Sequence, residues 1–183
     1  MLGFMLKELP NFLTVLRILL IPVLVLSFYL EGKLSHYIAA SIFIFASITD
    51  FFDGYLARVL KAQSNFGKML DPIADKLLVA STLMMLVHFG HAPVIPTIAI
   101  LCREILVSGL REYLAEFKVS IPVSKLGKVK TAVQMAAIII LLLGNKVLPI
   151  PYLDRIGEIA LWVAAVLTLI TGYAYWKERF KYI

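Results

Sequence analysis

The chain has 183 residues, of which 61% are hydrophobic and only 16% are charged. Soluble domains have roughly 45–50% apolar and about 25% charged residues, so the composition excludes an ordinary soluble domain and predicts an integral membrane protein. The formal net charge of +6 indicates contact with anionic lipid headgroups rather than binding of nucleic acid, because the basic residues flank the apolar runs.

Six mainly apolar segments follow one another along the chain, separated by polar or Pro/Gly-marked breaks. A helix needs about 20 apolar residues to cross a bilayer, and each segment is close to that length. The sequence therefore predicts a single all-α integral membrane domain over residues 1–183 with six transmembrane helices. A short amphipathic helix on the membrane surface is expected over residues 1–9. The six spans are placed at residues 11–30, 37–60, 72–90, 92–114, 131–149 and 157–176.

The distribution of basic residues predicts the orientation of these helices. With the N-terminus in the cytoplasm, only Lys33, Lys146 and Arg155 lie on the outer side, and most other lysines and arginines lie on the inner side. Cytoplasmic loops carry an excess of lysine and arginine, so we expect both termini in the cytoplasm.

Four aspartates stand at the borders of the second and third predicted helices. Asp50 and Asp53 come near the end of one helix, and Asp71 and Asp75 open the next. The uncharged runs before and after them are too short to cross a bilayer, so both helices must continue through the aspartates. Pro72 suits the first turn of the third helix. The short connection then brings both acidic pairs to one depth, just inside the cytoplasmic face.

The spacing within each pair puts its carboxylates on one helix face, since residues three or four apart are neighbours. At about 5 Å and an effective dielectric constant near 20, each close pair of ionised carboxylates costs roughly 3 kcal/mol, so the group requires a cation. The ligands are all oxygens, which favours Mg²⁺ or Mn²⁺ over zinc. Gly54 indicates close approach of a backbone or a ligand, and Arg58, one turn further, is placed to reach a phosphate.

The full acidic pattern resembles the signature of the CDP-alcohol phosphotransferase family. It reads Asp50-x-x-Asp53-Gly54-x-x-Ala57-Arg58 and then Gly67-x-x-x-Asp71-x-x-x-Asp75. Members of the family have six transmembrane helices and displace CMP from a CDP-linked alcohol with the hydroxyl of a second alcohol. The stretches NFLTVLRILLIP, REILVSGLRE and SKLGKVKT resemble the bacterial branch whose substrates are CDP-diacylglycerol and sn-glycerol 3-phosphate and whose products are phosphatidylglycerophosphate and CMP.

The resemblance implies a role for each residue of the motif. Two divalent ions, Mg²⁺ or Mn²⁺, are expected, with Asp75 also acting as the base that deprotonates the acceptor hydroxyl. The implied metal ligands are Asp50, Asp53, Asp71 and Asp75. The residues expected to contact the CDP moiety are Asn11, Thr14, Gly54, Ala57 and Arg58.

An anionic acceptor requires a basic pocket on the same side of the membrane as the aspartates. We expect Arg111, Lys125 and Lys128 to hold its phosphate, with Arg103 as a further member because it lies roughly on the same helix face as Arg111. The resemblance also implies a homodimer in the inner (plasma) membrane of a bacterium, with the active site facing the cytoplasm.

Several alternatives remain open from the sequence. One is the same chemistry with serine or an inositol phosphate as the acceptor. Another is a divalent-cation transporter, although transporter sites lie near the bilayer midplane and no internal repeat is visible. Arg17 is equally explained by snorkelling to the near headgroups, and Arg103 by structural pairing with Glu104 or another helix. Positive-inside topology alone also accounts for Lys125, Lys128 and Lys130.

Overall fold

The structure, a computed structural model, describes residues 2–59, 65–116 and 125–179. These residues form six α-helices and no strand, and each predicted span corresponds to one of them. Several site residues lie on described backbone but outside the described side chains: Asp53, Gly54, Ala57, Arg58 and Lys125. The helices are α1 (Leu2–Ser27), α2 (Lys33–Val59), α3 (Asn65–His88), α4 (Val94–Glu116), α5 (Lys125–Val147) and α6 (Leu153–Arg179).

Three helix starts, those of α1, α3 and α5, precede the predicted start by at least six residues. The prediction of a separate surface helix over residues 1–9 is wrong, because α1 runs unbroken from Leu2 to Ser27. Residues 5–9 are good helix formers. The third helix does not open at Asp71 but at Asn65, so Pro72 lies inside α3 rather than in its first turn. A proline there removes one backbone hydrogen bond, which the flanking apolar helix tolerates. The fifth helix begins at Lys125, before the apolar run.

Residues 1–85 form the first of two compact units. Within it α1 packs against α2. Leu24 of α1 and the small side chains Ala39 and Ala46 of α2 are buried. Small residues let two helix backbones approach closely where lipid supplies no hydrophobic driving force between helices.

Residues 86–183 form the second unit, in which α6 packs against both α4 and α5. Gly157 of α6 makes the close approach possible, because a Cβ there would lie 2.7 Å from Cδ2 of Leu141. Asn145 and Asp154 fix the turn between α5 and α6. The backbone N–H of Asn145 donates to Asp154 Oδ1 at 2.9 Å, and the N–H of Leu153 donates to Asn145 Oδ1 at 2.9 Å.

Large apolar side chains are exposed along the helices. On α6 they form a continuous stripe that includes Ile159, Val163, Val166 and Ile170. Exposed apolar surface of this extent marks a membrane or protein contact. By length and apolar composition, two helical stretches of the described chain qualify as membrane spans, Leu126–Asn145 and Leu153–Lys177, and a shorter apolar helix covers Asn11–Ser27.

Candidate functional site

Two carboxylates of the acidic motif are held by one face of α1. Thr14 and Arg17 lie three residues apart on that helix, and both are buried. The Thr14 hydroxyl donates a hydrogen bond to Asp71 Oδ1 on α3. The Arg17 guanidinium forms an ion pair with Asp50 on α2, with 2.7 Å between Nη1 and Oδ1. The first helix therefore contacts an aspartate from each of the next two helices.

Asp50 and Asp71 are close enough to interact electrostatically across α2 and α3. The Asp50 side chain is 40% exposed, whereas that of Arg17 has no exposed surface. The two carboxylates therefore repel each other at the edge of a low-dielectric interior, and the guanidinium offsets part of that repulsion. This arrangement supports the prediction that the acidic pairs of the second and third helices lie side by side.

The remaining motif residues are only partly described. Asp75 lies one turn beyond Asp71 on α3, is half-buried and takes part in a polar interaction. Asp53 follows Asp50 by three residues on α2, but its side chain lies outside those described, as do those of Gly54, Ala57 and Arg58. Among the described side chains, no three His, Cys, Asp or Glu residues are grouped closely enough to hold a metal ion. The complete four-aspartate group therefore stays a prediction.

The donor chemistry of these residues nevertheless fits a hard divalent cation. Asp50 and Asp71 supply carboxylate oxygens from adjacent helices, which is the ligand type that Mg²⁺ and Mn²⁺ prefer. A positively charged group already lies against Asp50. Positive charge, from a side chain or from an ion, therefore stabilises the adjacent carboxylates of Asp50 and Asp71.

Sequence reasoning missed the roles of Thr14 and Arg17. Thr14 was expected to contact the CDP moiety, yet its hydroxyl contacts an aspartate. For Arg17, the snorkelling alternative is wrong, because its guanidinium is buried against Asp50 rather than extended toward headgroups. The available signal was the i, i+3 spacing of a hydroxyl and a cation within an apolar helix, in a chain whose four motif aspartates are predicted to lie at one depth. Asn11, one turn earlier, is half-buried and also has a polar partner.

The predicted phosphate-binding residues all belong to the second unit. Arg111 is exposed near the C-terminal end of α4, and Lys128 is exposed in the first turn of α5. Lys125 begins α5, so the two lysines are helical rather than in a loop, and the Lys125 side chain lies outside those described. Exposed cations at the ends of two helices are available for an anionic ligand.

Arg103 contacts protein groups instead. Its Nη1 lies 3.2 Å from Glu104 Oε1, and its Nη2 donates to the Thr171 hydroxyl of α6 at 3.3 Å. Gly172 leaves room for this side chain, since a Cβ at that position would lie 3.1 Å from Arg103 Cγ. These contacts support the structural alternative for Arg103.

Lys130 is part of the same ion-pair network. Its ammonium group donates to Glu104 Oε1, and its side chain is only 5% exposed. The positive-inside rule accounts for an exposed lysine such as Lys128. It does not account for Lys130, which is buried and paired. Glu104 therefore joins α4 to α5 through Lys130, while Arg103 joins α4 to α6 through Thr171.

Comparisons with known proteins agree with the acidic motif. A family model described as CDP-alcohol phosphatidyltransferase matches residues 7–170. The chain is similar to the CDP-diacylglycerol–glycerol-3-phosphate 3-phosphatidyltransferase of Rickettsia felis, with 56% identity over 96% of this chain and 97% of the relative. Proteins of the same name match from Pectobacterium atrosepticum, at 42% identity over 92% of each chain, and from Bacillus subtilis, at 40% identity over 95% of this chain and 96% of the relative.

Proposed function

Because the chain belongs to the CDP-alcohol phosphatidyltransferase family, we propose that it transfers the phosphatidyl group from CDP-diacylglycerol to sn-glycerol 3-phosphate. The products are phosphatidylglycerophosphate and CMP. The observation that carries the proposal is the 56% identity, over nearly the whole chain, to a relative named for this activity. The proximity of Asp50 and Asp71, which contact Arg17 and Thr14, supports the proposal because it brings together carboxylates of the motif.

The proposed setting is a bacterial inner membrane that all six helices cross, with both termini and the active site on the cytoplasmic side. Each helix has between 23 and 27 residues, so each is about 34–40 Å long and exceeds the hydrocarbon thickness of about 30 Å. The excess of basic residues on the inner side supports this orientation. The lipid substrate explains the setting, because its headgroup lies at the depth of the aspartates while its acyl chains stay in the bilayer. A homodimer is the proposed assembly, by family resemblance.

The proposed metal ligands are Asp50, Asp53, Asp71 and Asp75, which would hold two Mg²⁺ or Mn²⁺ ions. A bound divalent ion supplies charge neutralisation for the diphosphate and for the departing CMP. Thr14 contributes by orienting Asp71. The residues proposed to bind the CDP moiety remain Asn11, Thr14, Gly54, Ala57 and Arg58, with the Arg58 guanidinium suited to a phosphate.

Asp75 is proposed to accept the proton of the acceptor hydroxyl. The hydroxyl oxygen then forms a bond to the phosphorus of the phosphatidyl group, and the bond between that phosphorus and the CMP oxygen breaks. Arg111, Lys125 and Lys128 are proposed to bind the acceptor's own phosphate and so to orient the reacting hydroxyl. Arg103 itself links α4 to α6 through its hydrogen bond to Thr171. Its direct contact with the acceptor phosphate stays a prediction.

Acceptor-dependent release of CMP tests the proposal. Purified protein in detergent micelles with CDP-diacylglycerol, Mg²⁺ and labelled glycerol 3-phosphate should yield CMP and labelled lipid in equal amounts. Serine and an inositol phosphate serve as competing acceptors. Asp71→Asn should lower turnover by more than about tenfold. Mutation of a residue that only hydrogen-bonds a metal ligand already lowers activity by about that factor, and Asp71 is proposed as a ligand itself. Glu31→Gln, an exposed carboxylate in the α1–α2 connection, is the matched control.

Each outcome of this assay has a definite meaning. Equal release of CMP and labelled lipid supports the reaction as written. Turnover with serine or an inositol phosphate alone would keep the chemistry and replace the acceptor. No turnover with any acceptor, from protein that unfolds cooperatively, would contradict the proposed reaction.

A further inference from the structure

Arg17 is a buried cation inside an apolar helix, and it contacts a proposed metal ligand. Its side chain has no exposed surface, and its Nη1 lies 2.7 Å from Asp50 Oδ1. We propose that Arg17 is the internal counter-ion of the acidic site, holding Asp50 in the metal-free protein and competing with the metal for that carboxylate. The proposal rests on the metal site of the proposed function and deepens it.

The burial of Arg17 explains why the pair forms. A guanidinium moved out of water without a partner is strongly destabilising, and arginine keeps its charge in proteins. Asp50 in turn interacts with the like charge of Asp71 on the neighbouring helix. Pairing therefore stabilises both groups, and loss of either partner leaves the other at the edge of a low-dielectric interior.

The position of Arg17 is fixed by a second contact on the same helix face. Thr14, one turn before it, donates to Asp71 Oδ1. The face of α1 therefore contacts both carboxylates at once, and the guanidinium is held at the acidic site rather than beside a single exposed acid. A metal ion bound to Asp50 competes with the Arg17 guanidinium for the negative charge of the same carboxylate, so the ion pair lowers the affinity of Asp50 for the ion.

The test is Mn²⁺ binding to the full-length protein in detergent, measured by the electron paramagnetic resonance signal of free Mn²⁺ in the absence of substrates. Arg17→Gln should bind Mn²⁺ about tenfold more tightly than the wild-type protein, since it removes one charged hydrogen bond that competes for Asp50. Arg17→Lys keeps the cation and should stay near the wild-type affinity. Lys33→Gln removes an exposed charge about 25 Å from Asp50 along α2 and is the matched control.

A second readout is thermal unfolding with EDTA or with saturating Mn²⁺. Arg17→Gln should lower the unfolding temperature in EDTA, and Mn²⁺ should restore most of the loss. If Arg17→Gln is not recovered as folded protein in EDTA, the double variant Arg17→Gln, Asp50→Asn removes both charges and should be recovered. Failure of the double variant as well would overturn the counter-ion role, because the defect would then not be electrostatic.

The outcomes separate this inference from the proposed function. Unchanged or weaker Mn²⁺ binding by Arg17→Gln, with binding still lost in Asp50→Asn, overturns the inference alone. Absence of Mn²⁺ binding in the wild-type protein overturns both the metal site and the inference. Tighter binding by Arg17→Gln in a protein that releases no CMP supports the inference and overturns only the proposed reaction.

Discussion

Lys130 is buried, although Lys128, two residues earlier on α5, is exposed. The variant Lys130→Met tests the ion pair that Lys130 forms. Its ammonium group pairs with Glu104, and its side chain is 5% exposed. Breaking a buried ion pair by removing one partner costs about 3–5 kcal/mol. Here Glu104 is 21% exposed and keeps Arg103 Nη1 at 3.2 Å, so its charge is not left alone. What is lost is one hydrogen bond between charged groups, about 1.5–3 kcal/mol.

We therefore expect Lys130→Met to lower the free energy of unfolding by about 2 kcal/mol. Equilibrium unfolding of detergent-solubilised protein by a denaturing detergent measures this change. Lys128→Met is the matched control, because Lys128 is exposed two residues earlier on α5, and its effect should stay within about 0.5 kcal/mol.

A double-mutant cycle with Glu104→Gln isolates the pair from other effects. The coupling free energy between the two substitutions should be at least about 1 kcal/mol, since the residues are in contact. If Lys130→Met is no more destabilising than Lys128→Met, or if the two substitutions are additive, the buried ion pair is not a stabilising contact between α4 and α5.

The other predictions concern the reaction and the turn between α5 and α6. Asp75→Asn should lower CMP release by about 10²–10⁴-fold, the usual contribution of a general base, with unfolding unchanged; activity above a few per cent of wild type would refute its role as base. Arg111→Ala should mainly raise the KM for glycerol 3-phosphate, measured in steady-state assays; a selective loss of affinity for CDP-diacylglycerol would move Arg111 to the donor site. Gly144→Ala should destabilise the protein by about 1–3 kcal/mol in detergent unfolding. Gly144 has φ 55°, and a Cβ there would lie 2.7 Å from Asp154 Oδ1, so alanine would be strained at this position. An unchanged unfolding midpoint would contradict this backbone strain.

The secondary structure could be read from the sequence because it depends on local features. Apolar runs close to the length of a bilayer crossing predict helices, and all six lie where the sequence places them. The helix starts were less predictable, as α3 shows by beginning at Asn65 and carrying Pro72 inside it. A proline favours the first turn of a helix, but Pro72 in the interior removes only one backbone hydrogen bond, and α3 continues through it.

The acidic site was only partly predictable for a different reason. The i, i+3 and i, i+4 spacing of the aspartates determines which helix face each pair shares, and Asp50 and Asp71 interact electrostatically across α2 and α3. The partner of each carboxylate depends on how a third helix is rotated and at what depth it packs. No periodicity in the sequence shows that α1 turns Thr14 toward Asp71 and Arg17 toward Asp50.

The sequence by itself determined the class of the protein, its six helices and the acidic motif that indicates its chemistry, because these follow from hydropathy and from spacing along one helix. Only the tertiary structure decided which cations are sequestered within each unit. Arg17 is buried against Asp50, and Lys130 and Arg103 converge on Glu104, whereas Arg111 and Lys128 remain exposed. The physical reason is that the cost of burying a charge is met only by a partner from the surrounding structure, and most of these partners come from other helices.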